Sequence, residues 1–405
     1  MQKRFVPDEG GVFPEWEEVE FEKLFQRRSE KNGEEFGVDK TISVATMHFK
    51  PEGNKAAEES LPKYRVLRKG DIAYEGNKSK HFKHGRFVLN DIGDGIISPI
   101  FEVLQPVSEL SKEVPEFWKY YINYEPVMGK ILAKCANTGI MMNRLAIKDF
   151  YKQKIKVPCI EEQRKIAAAL TAYDEMIAVK TAKLETWQEC KKRMVKEIFG
   201  RTKRFKDDDG MEFPEWEEKT LGKITEYVRN GYSYKPDGAR THKYKVTRIE
   251  TISTGKINPE KLGSCEECDE KYLLKPGDIL YSNINSLSYL GNTAIYKNSS
   301  EKIYHGMNLL CIRPKSDDID ADYLFAFLNS EAARKFVKYN AQRAVNQCSI
   351  KVSDVRNMRI PLPCIAEQQK IGSFLAEIDK EIEIQKEFIK TYAEGKKRMM
   401  KELIR

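Results

Sequence analysis

No stretch of this chain approaches the roughly 18 consecutive apolar residues that a membrane span needs. Its start, MQKRFVPDEG, lacks the apolar core of a secretory signal. Together these absences predict a protein that is neither membrane-inserted nor exported. No phosphate-cradling loop occurs either: the pairs Gly129-Lys130, Gly222-Lys223 and Gly255-Lys256 lack the spaced upstream glycine and the following Ser or Thr. No G-x-G-x-x-G stretch opens a helix, and the Asn/Asp-Pro-Pro-Tyr loop of adenine methylation is missing. Cysteine is sparse, eight in 405 residues and mostly isolated, which reads as reduced thiols of a cytoplasmic protein. Cys265 and Cys268 have zinc-like spacing, but no second pair accompanies them and the next cysteine is Cys311. They read as two thiols on a solvated acidic loop. Of five histidines, His81 and His84 lie close together in KHFKHGR without a third ligand, so they belong to a basic loop. No metal site and no catalytic constellation is predicted.

What the chain does contain is charge and repetition. At roughly 150 residues per domain, this length implies two or three domains. Hydrophobic residues make up 40% and charged residues 33%, the balance of a globular, soluble chain, with a formal net charge of +8. That modest basic excess permits a polyanionic partner without requiring one.

The phrase KRFVPDEGGVFPEWEE, from Lys3 to Glu18, returns as KRFKDDDGMEFPEWEE from Lys203 to Glu218, with eleven of sixteen positions identical. A longer block, Pro158 to Phe199, returns from Pro363 to Ile404 with 18 coincident positions. Between these edges the halves barely match, apart from GDIAYEGNKSK (Gly70 to Lys80) facing GDILYSNINS (Gly277 to Ser286). Fixed edges around divergent middles suggest two modules with one mounting and different tasks.

The repeated block has helical periodicity. Ile166, Leu170, Tyr173, Ile177, Leu184 and Trp187 recur in 3-4 steps, and Ile371, Leu375, Ile378, Ile382, Ile389 and Tyr392 follow the same phase. Glu161, Glu162 and Glu367 occupy first turns and Lys191, Lys192, Arg193 and Lys196 the last, both favourable to a helix dipole. Each helix should run about 60 Å for roughly 40 residues. Lys180 and Gln385 interrupt the seam at equivalent places, as register-fixing polar residues do. A lone helix cannot bury such a stripe. Two arrangements satisfy it: the two copies packed on each other, which if antiparallel relates the modules by a pseudo-two-fold axis, or a coiled coil that joins separate chains.

The middles read as α/β (α+β) modules. Strand-like runs are RFVLN, GIISPIFEVL, HKYKVTRI, DILYSNI, NTAIY and NLLCIRP, and short helices are expected over Glu116 to Tyr124 and Ala321 to Tyr339. The division this predicts is a first module over 1–157, a long helix over 158–200, a second module over 201–361 and a second helix over 362–405.

With catalytic motifs absent, amide-and-cation loops are the remaining chemistry. NKSKHFKHGR contributes Asn77, Lys78, Ser79, Lys80, Lys83 and Arg86. RNGYSYKP contributes Tyr232, Ser233, Tyr234 and Lys235, and SNINS contributes Asn283, Asn285 and Ser286. NAQRAVNQ contributes Gln342, Arg343, Asn346 and Gln347, while Arg27, Arg28, Asn137 and Thr138 complete the candidates. Asn and Gln can bond adenine bidentately, Arg can bond guanine, and Lys and Ser suit phosphates. Such loops in both modules favour nucleic acid over an ordinary polar surface.

These residues resemble a known family, the specificity subunits of type I restriction–modification systems. The resemblance is carried by FPEWEE, by KPGDILYSNINS (Lys275 to Ser286), and by PCIEEQRKI and PCIAEQQKI opening the helices. Cys159 and Cys364 stand where such subunits usually carry a second proline. The resemblance implies two target-recognition domains, each reading half of a bipartite DNA site, with the helices as ruler and as dock for two methyltransferase subunits. Motor-nuclease subunits join for restriction. S-adenosylmethionine, ATP and Mg would belong to those partners, and this chain would bind no cofactor and catalyse nothing. Two other readings remain: a stand-alone metal-dependent nuclease on Asp237, Asp269 and Lys271, or a coiled-coil adaptor without a DNA role.

Overall fold

The computed structural model describes residues 4–50, 58–137, 139, 142–233, 243–253, 255–297, 301–344 and 347–404. It is a mixed helix-and-sheet protein with two helices far longer than the rest, Ile160–Phe199 and Ile365–Leu403. Two compact units result: Met1–Lys180 together with Glu387–Arg405, and Thr181–Lys386. Among the described residues, no helix is long and apolar enough to cross a membrane.

The units cut through both long helices, and the cores explain why. In the first unit, Ile166 and Leu170 near one helix start share a core with Met399, Met400 and Leu403 near the other helix end. In the second, Met194 and Ile198 share a core with Ile371, Leu375, Ile378 and Ile382. Within each unit a helix start therefore meets a helix end, an antiparallel pairing. Burial grades along the seam. Ile166, Leu170, Ile371, Leu375, Ile378 and Ile382 are buried, whereas Tyr173, Ile177, Leu184, Trp187, Ile389 and Tyr392 are half-buried. A partner helix alone covers only one side of a side chain; the buried positions are also covered by globular residues. In the first unit Tyr173 and Tyr392 meet edge-on at 6.3 Å, and the Lys180 ammonium lies 4.5 Å from the Phe388 ring centroid. In the second, Gln385 is buried and its amide oxygen has no partner among the described residues.

Each unit is built on a four-stranded antiparallel sheet. The first orders its strands Phe25–Arg27, Glu102–Pro106, Ile72–Glu75, Arg86–Leu89. The second orders Thr225–Asn230, Leu310–Pro314, Ile279–Tyr281, Thr293–Ile295. Chain order and register agree: Ile72 faces Leu89 and Leu104, and Ile279 faces Ile295 and Ile312. The shared Gly-Asp-Ile phrase enters the central strand in both. Gly70 and Gly277 turn the chain at φ +91° and +93°, a conformation that disfavours a β-carbon. Asp71 and Asp278, both buried, then accept the backbone N–H of Arg68 and Lys275, each at 2.8 Å.

Several expected elements are divided. GIISPIFEVL forms Gly95–Ile97 and Glu102–Pro106, interrupted at Pro99, which has no N–H for a ladder. The helix expected over Ala321 to Tyr339 is two, Ala321–Leu328 and Glu331–Asn340, because the Ser330 hydroxyl caps the second by accepting from the Ala333 N–H at 3.3 Å. The first short helix is Pro115–Tyr121, and a further one, Glu125–Cys135, follows it.

Candidate nucleic-acid interface

The repeated opening phrase is a clip. Arg4 donates to both oxygens of Glu162 at 2.9 and 2.7 Å, and the Trp16 indole N–H donates to the same carboxylate at 3.0 Å. Arg204 donates to Glu367 at 3.4 and 2.9 Å, with Trp216 at 2.9 Å. Glu162 and Glu367 are buried in the first turns of the long helices, where a carboxylate complements the helix N-terminus. The next motif residues act likewise. Gln163 and Gln368 donate to the carbonyls of Pro158 and Pro363, while Lys165 and Lys370 reach the carbonyls of Val6 and Lys206. A strand from the phrase, Glu17–Glu20, pairs with Lys154–Val157, as Glu217–Thr220 does with Arg359–Leu362. FPEWEE and the E-Q-x-K helix start are thus two halves of one fastening, made twice.

In the first unit this mounting carries a loop and a hairpin. The loop follows strand Ile72–Glu75; the hairpin joins Ala136–Asn137 to Arg144–Leu145. They are tied by backbone: the Asn143 N–H donates to the Gly76 carbonyl at 2.8 Å, and the Asn143 amide donates to the Lys83 carbonyl at 3.0 Å. A β-carbon at Gly76 would lie 2.0 Å from the Asn143 carbonyl oxygen, so glycine is required for this approach. Lys78 reaches the Gly139 carbonyl at 3.2 Å, and Lys80 and Lys83 remain exposed. Asn77 is exposed with its amide against Glu75 at 3.3 Å, and the Ser79 hydroxyl accepts the Phe82 N–H.

The arginines chosen from the sequence behave differently. Arg86 is held by Glu75 at 2.7 Å and by the Ala45 carbonyl at 2.6 Å. Arg27 is bidentate on Glu102, on the edge strand farthest from Arg86. Arg28 grips buried Asp71 at 2.6 and 3.1 Å and also bonds Glu30. Burial pushes the Asp71 carboxyl upward despite that arginine. These guanidinium groups fasten the unit internally. The arginine that sequence reasoning missed is Arg144, exposed and directly opposite Asn137 in the hairpin.

The second unit builds the corresponding surface as a three-stranded sheet: Ile284–Asn285, Cys348–Ser349, Gln342–Arg343. The Ile350 N–H donates to the Asn283 carbonyl at 2.9 Å, matching the bond between Asn143 and Gly76 in role. The SNINS loop and the NAQRAVNQ hairpin are thereby joined. Ser286, Gln342, Arg343 and Gln347 are exposed. Asn285 is half-buried, donating to the Ser282 hydroxyl at 3.2 Å and accepting the Ser286 N–H at 2.8 Å. Asn283 departs from its expected exposure: only 6% of it is accessible, because its backbone is inside the junction. Tyr339 is 90% exposed just before Gln342, and half-exposed Tyr289 follows Ser286. Tyr232 joins a separate cluster with Tyr272, ring centroids 5.6 Å apart, and Ser233 beside it is exposed. Thr138, Tyr234, Lys235 and Asn346 lie outside the described residues, as does Asp237 of the nuclease reading.

Both surfaces present amides and cations on a small antiparallel sheet, two-stranded in the first unit and three-stranded in the second, a chemistry that suits base edges and phosphates. Elsewhere, Asp269 accepts the Lys271 N–H at 2.9 Å and pairs with its ammonium at 2.7 Å. Burial pushes the Cys268 thiol up to about 12, with Cys265 beside it. Among the described residues no group of three or more potential metal ligands occurs.

The sequence model described as the type I restriction modification DNA specificity domain matches residues 15–186 and again 214–391. The chain belongs to that family. The MjaX type I restriction enzyme specificity subunit of Methanocaldococcus jannaschii is 40% identical over 210 residues, 51% of this chain and 49% of that protein. The chain thus spans about half the length of that relative. The MjaVIII specificity subunit of the same organism is 27% identical over 76% of this chain and 73% of its own length. Among solved structures, the S subunit of a type I restriction–modification system from M. genitalium superposes with a TM-score of 0.63 at 14% identity, covering 99% of both chains. A chain from a structure concerned with complex assembly and conformational transition of the type I system gives 0.54 at 19% identity, over 99% of this chain and 98% of that one. At such identities the likeness is one of fold, and the fold is that of specificity subunits.

Proposed function

We propose that this chain is the DNA-reading subunit of a type I restriction–modification complex, each unit reading one half of a bipartite target. The observation that carries the reading is the duplicated surface: Asn137 and Arg144 beside Lys80 and Lys83 in one unit, Gln342, Arg343 and Gln347 beside Asn285 and Ser286 in the other, both behind the same Arg–Glu–Trp clip. Base-edge contacts from amide and guanidinium groups give sequence preference, and lysines add affinity through phosphates without adding sequence information. In this reading the chain is not an enzyme. Two methyltransferase subunits, docked on the long helices, use S-adenosylmethionine on an adenine flipped out of the duplex. Motor-nuclease subunits supply ATP- and Mg-dependent cleavage. The complex works in the cytoplasm. Mapping methylated adenines in one host with and without this chain tests the proposal: a bipartite motif should appear only with it, and an unchanged map would refute it.

A further inference from the structure

Tyr121 and Tyr323 hold equivalent places in the two units. Each hydroxyl donates to a backbone carbonyl at 2.5 Å, that of Lys156 or Pro361, and each ring meets the indole of its unit edge-on, Trp16 at 6.1 Å or Trp216 at 6.4 Å. The residue before them differs. In the first unit it is Tyr120, buried, donating to Asp174 at 2.8 Å. Lys396 pairs with that same carboxylate at 2.6 Å and lies 4.6 Å from the Tyr120 ring centroid. The second unit keeps the equivalent ion pair, Lys191 with Asp379 at 2.5 Å, but has Asp322 where the ring would be, and Asp322 turns to Lys297 at 2.8 Å. A cavity of about 800 Å³ opens there, between the second long helix, the Ala321–Leu328 helix and the Gly255–Pro259 segment.

Ile257, Ile295, Phe325, Leu375 and Ile382 give this cavity apolar walls. Five lysines and three carboxylates line it, and one of the lysines, Lys380, pairs with a fourth carboxylate, Glu377, at 3.4 Å, which leaves one ammonium in excess. Lys256 and Lys386 pair with the two oxygens of the single carboxylate of Glu383, so that end of the cavity carries one net positive charge. A concave site of ~300–1,000 Å³ with apolar walls and a few charged groups is the usual form of a small-ligand site. The excess of ammonium groups selects an acceptor with negative charge. We propose that the cavity binds a small organic anion with an aromatic or branched aliphatic body, its charged end on Lys256 and Lys386. The site is independent of the DNA-reading loops, and Tyr120 stands at the place of Asp322 in the first unit, against the equivalent ion pair.

The full-length chain titrated with anilinonaphthalene sulfonate, an aromatic anion of suitable size, tests this by fluorescence. Saturable binding of one probe per chain is expected. Asp322→Tyr, which restores the ring found in the first unit, should abolish it while near-ultraviolet circular dichroism stays native. Lys256→Gln with Lys386→Gln decides the matter even if that variant does not fold. Both lysine side chains are about half exposed, at 57% and 49%, so their loss leaves the core intact. The pair should weaken binding at least roughly tenfold, the loss of about one charge-assisted hydrogen bond. Undiminished binding in a folded Asp322→Tyr chain, undiminished binding in the double-lysine variant, or equal affinity for a cationic naphthylammonium probe would each overturn the proposal.

Discussion

Trp16 donates its indole N–H to Glu162 at 3.0 Å, across 146 residues of chain, and Trp216 does the same to Glu367 at 2.9 Å. One buried carboxylate in each unit thus joins the start of the module to the start of the long helix that leaves it. Arg4 and Arg204 complete the charge balance. A buried carboxylate without such partners would carry a large desolvation cost, so the three groups act together.

Removing that carboxylate should be severe. Glu162→Ala leaves the Arg4 guanidinium, 14% exposed, without its main acceptor, and destabilisation of roughly 3–5 kcal/mol is expected. Urea unfolding should show the loss in one transition for Glu162→Ala and in the other for Glu367→Ala. A change under about 1 kcal/mol, within the range of an exposed pair, would mean the clip is only decorative.

His305 predicts an acid sensitivity of the second unit. It is buried, its Nε2 lies 2.8 Å from the Leu309 carbonyl, and burial pulls its pKa from 6.5 down to about 4. The unfolded chain therefore binds a proton below about 6.5 that the folded chain refuses until about 4, so this group's contribution to stability falls as pH falls through that window. The full effect is about 3 kcal/mol at ~1.4 kcal/mol per pH unit. His305→Gln should flatten the stability difference between pH 7 and pH 4.5 by comparison with the native chain, and equal slopes for the two proteins would count against it.

The two hairpins should govern separate halves of the target. Arg343→Ala or Gln342→Ala is expected to relax one half-site by about 1–3 kcal/mol per lost base contact and to leave the other untouched. Arg144→Ala should do the converse. Methylation maps in cells carrying each variant decide it; both half-sites relaxing together would break the assignment of one unit to one half.

Lys80 and Lys83 are expected to act on phosphates. Their joint replacement by Ala should weaken all sequences alike and lower the slope of log affinity against log salt by about 2. A change in preferred sequence, with the salt slope intact, would move these lysines from backbone contact to base contact.

The length of the helices is predicted to set the gap between half-sites. Four residues inserted after Lys180 and four after Gln385 lengthen each helix by about 6 Å at ~1.5 Å per residue. At ~3.4 Å per base pair the preferred gap should grow by about two base pairs. Sequencing of methylated adenines reads the outcome directly, and an unchanged gap would rule the helices out as the ruler.

Much of this protein was determined by its sequence alone. Heptad spacing in two copies specifies two long helices with apolar stripes, and the burial of Ile166, Leu170, Ile371 and Leu375 follows from that periodicity. The repeated phrases FPEWEE and E-Q-x-K recur at equivalent places in both units, and NKSKHFKHGR, SNINS and NAQRAVNQ lie on the candidate surfaces. Periodicity reports which side of an element is apolar; it carries no information about which distant groups will share a proton or a charge. Only the tertiary structure decided that Arg27, Arg28 and Arg86 spend their guanidinium groups on Glu102, Asp71 and Glu75, while Arg144 stays exposed. Likewise, Asn283 is buried where its carbonyl accepts the N–H of Ile350, far along the chain. The two sheets share strand order and register although their sequences barely match, because alternation of apolar residues suffices to build a sheet and many side chains satisfy it. Asp322, at the place of Tyr120, lines a cavity whose other walls come from residues distant in the chain, so only the folded neighbours define it.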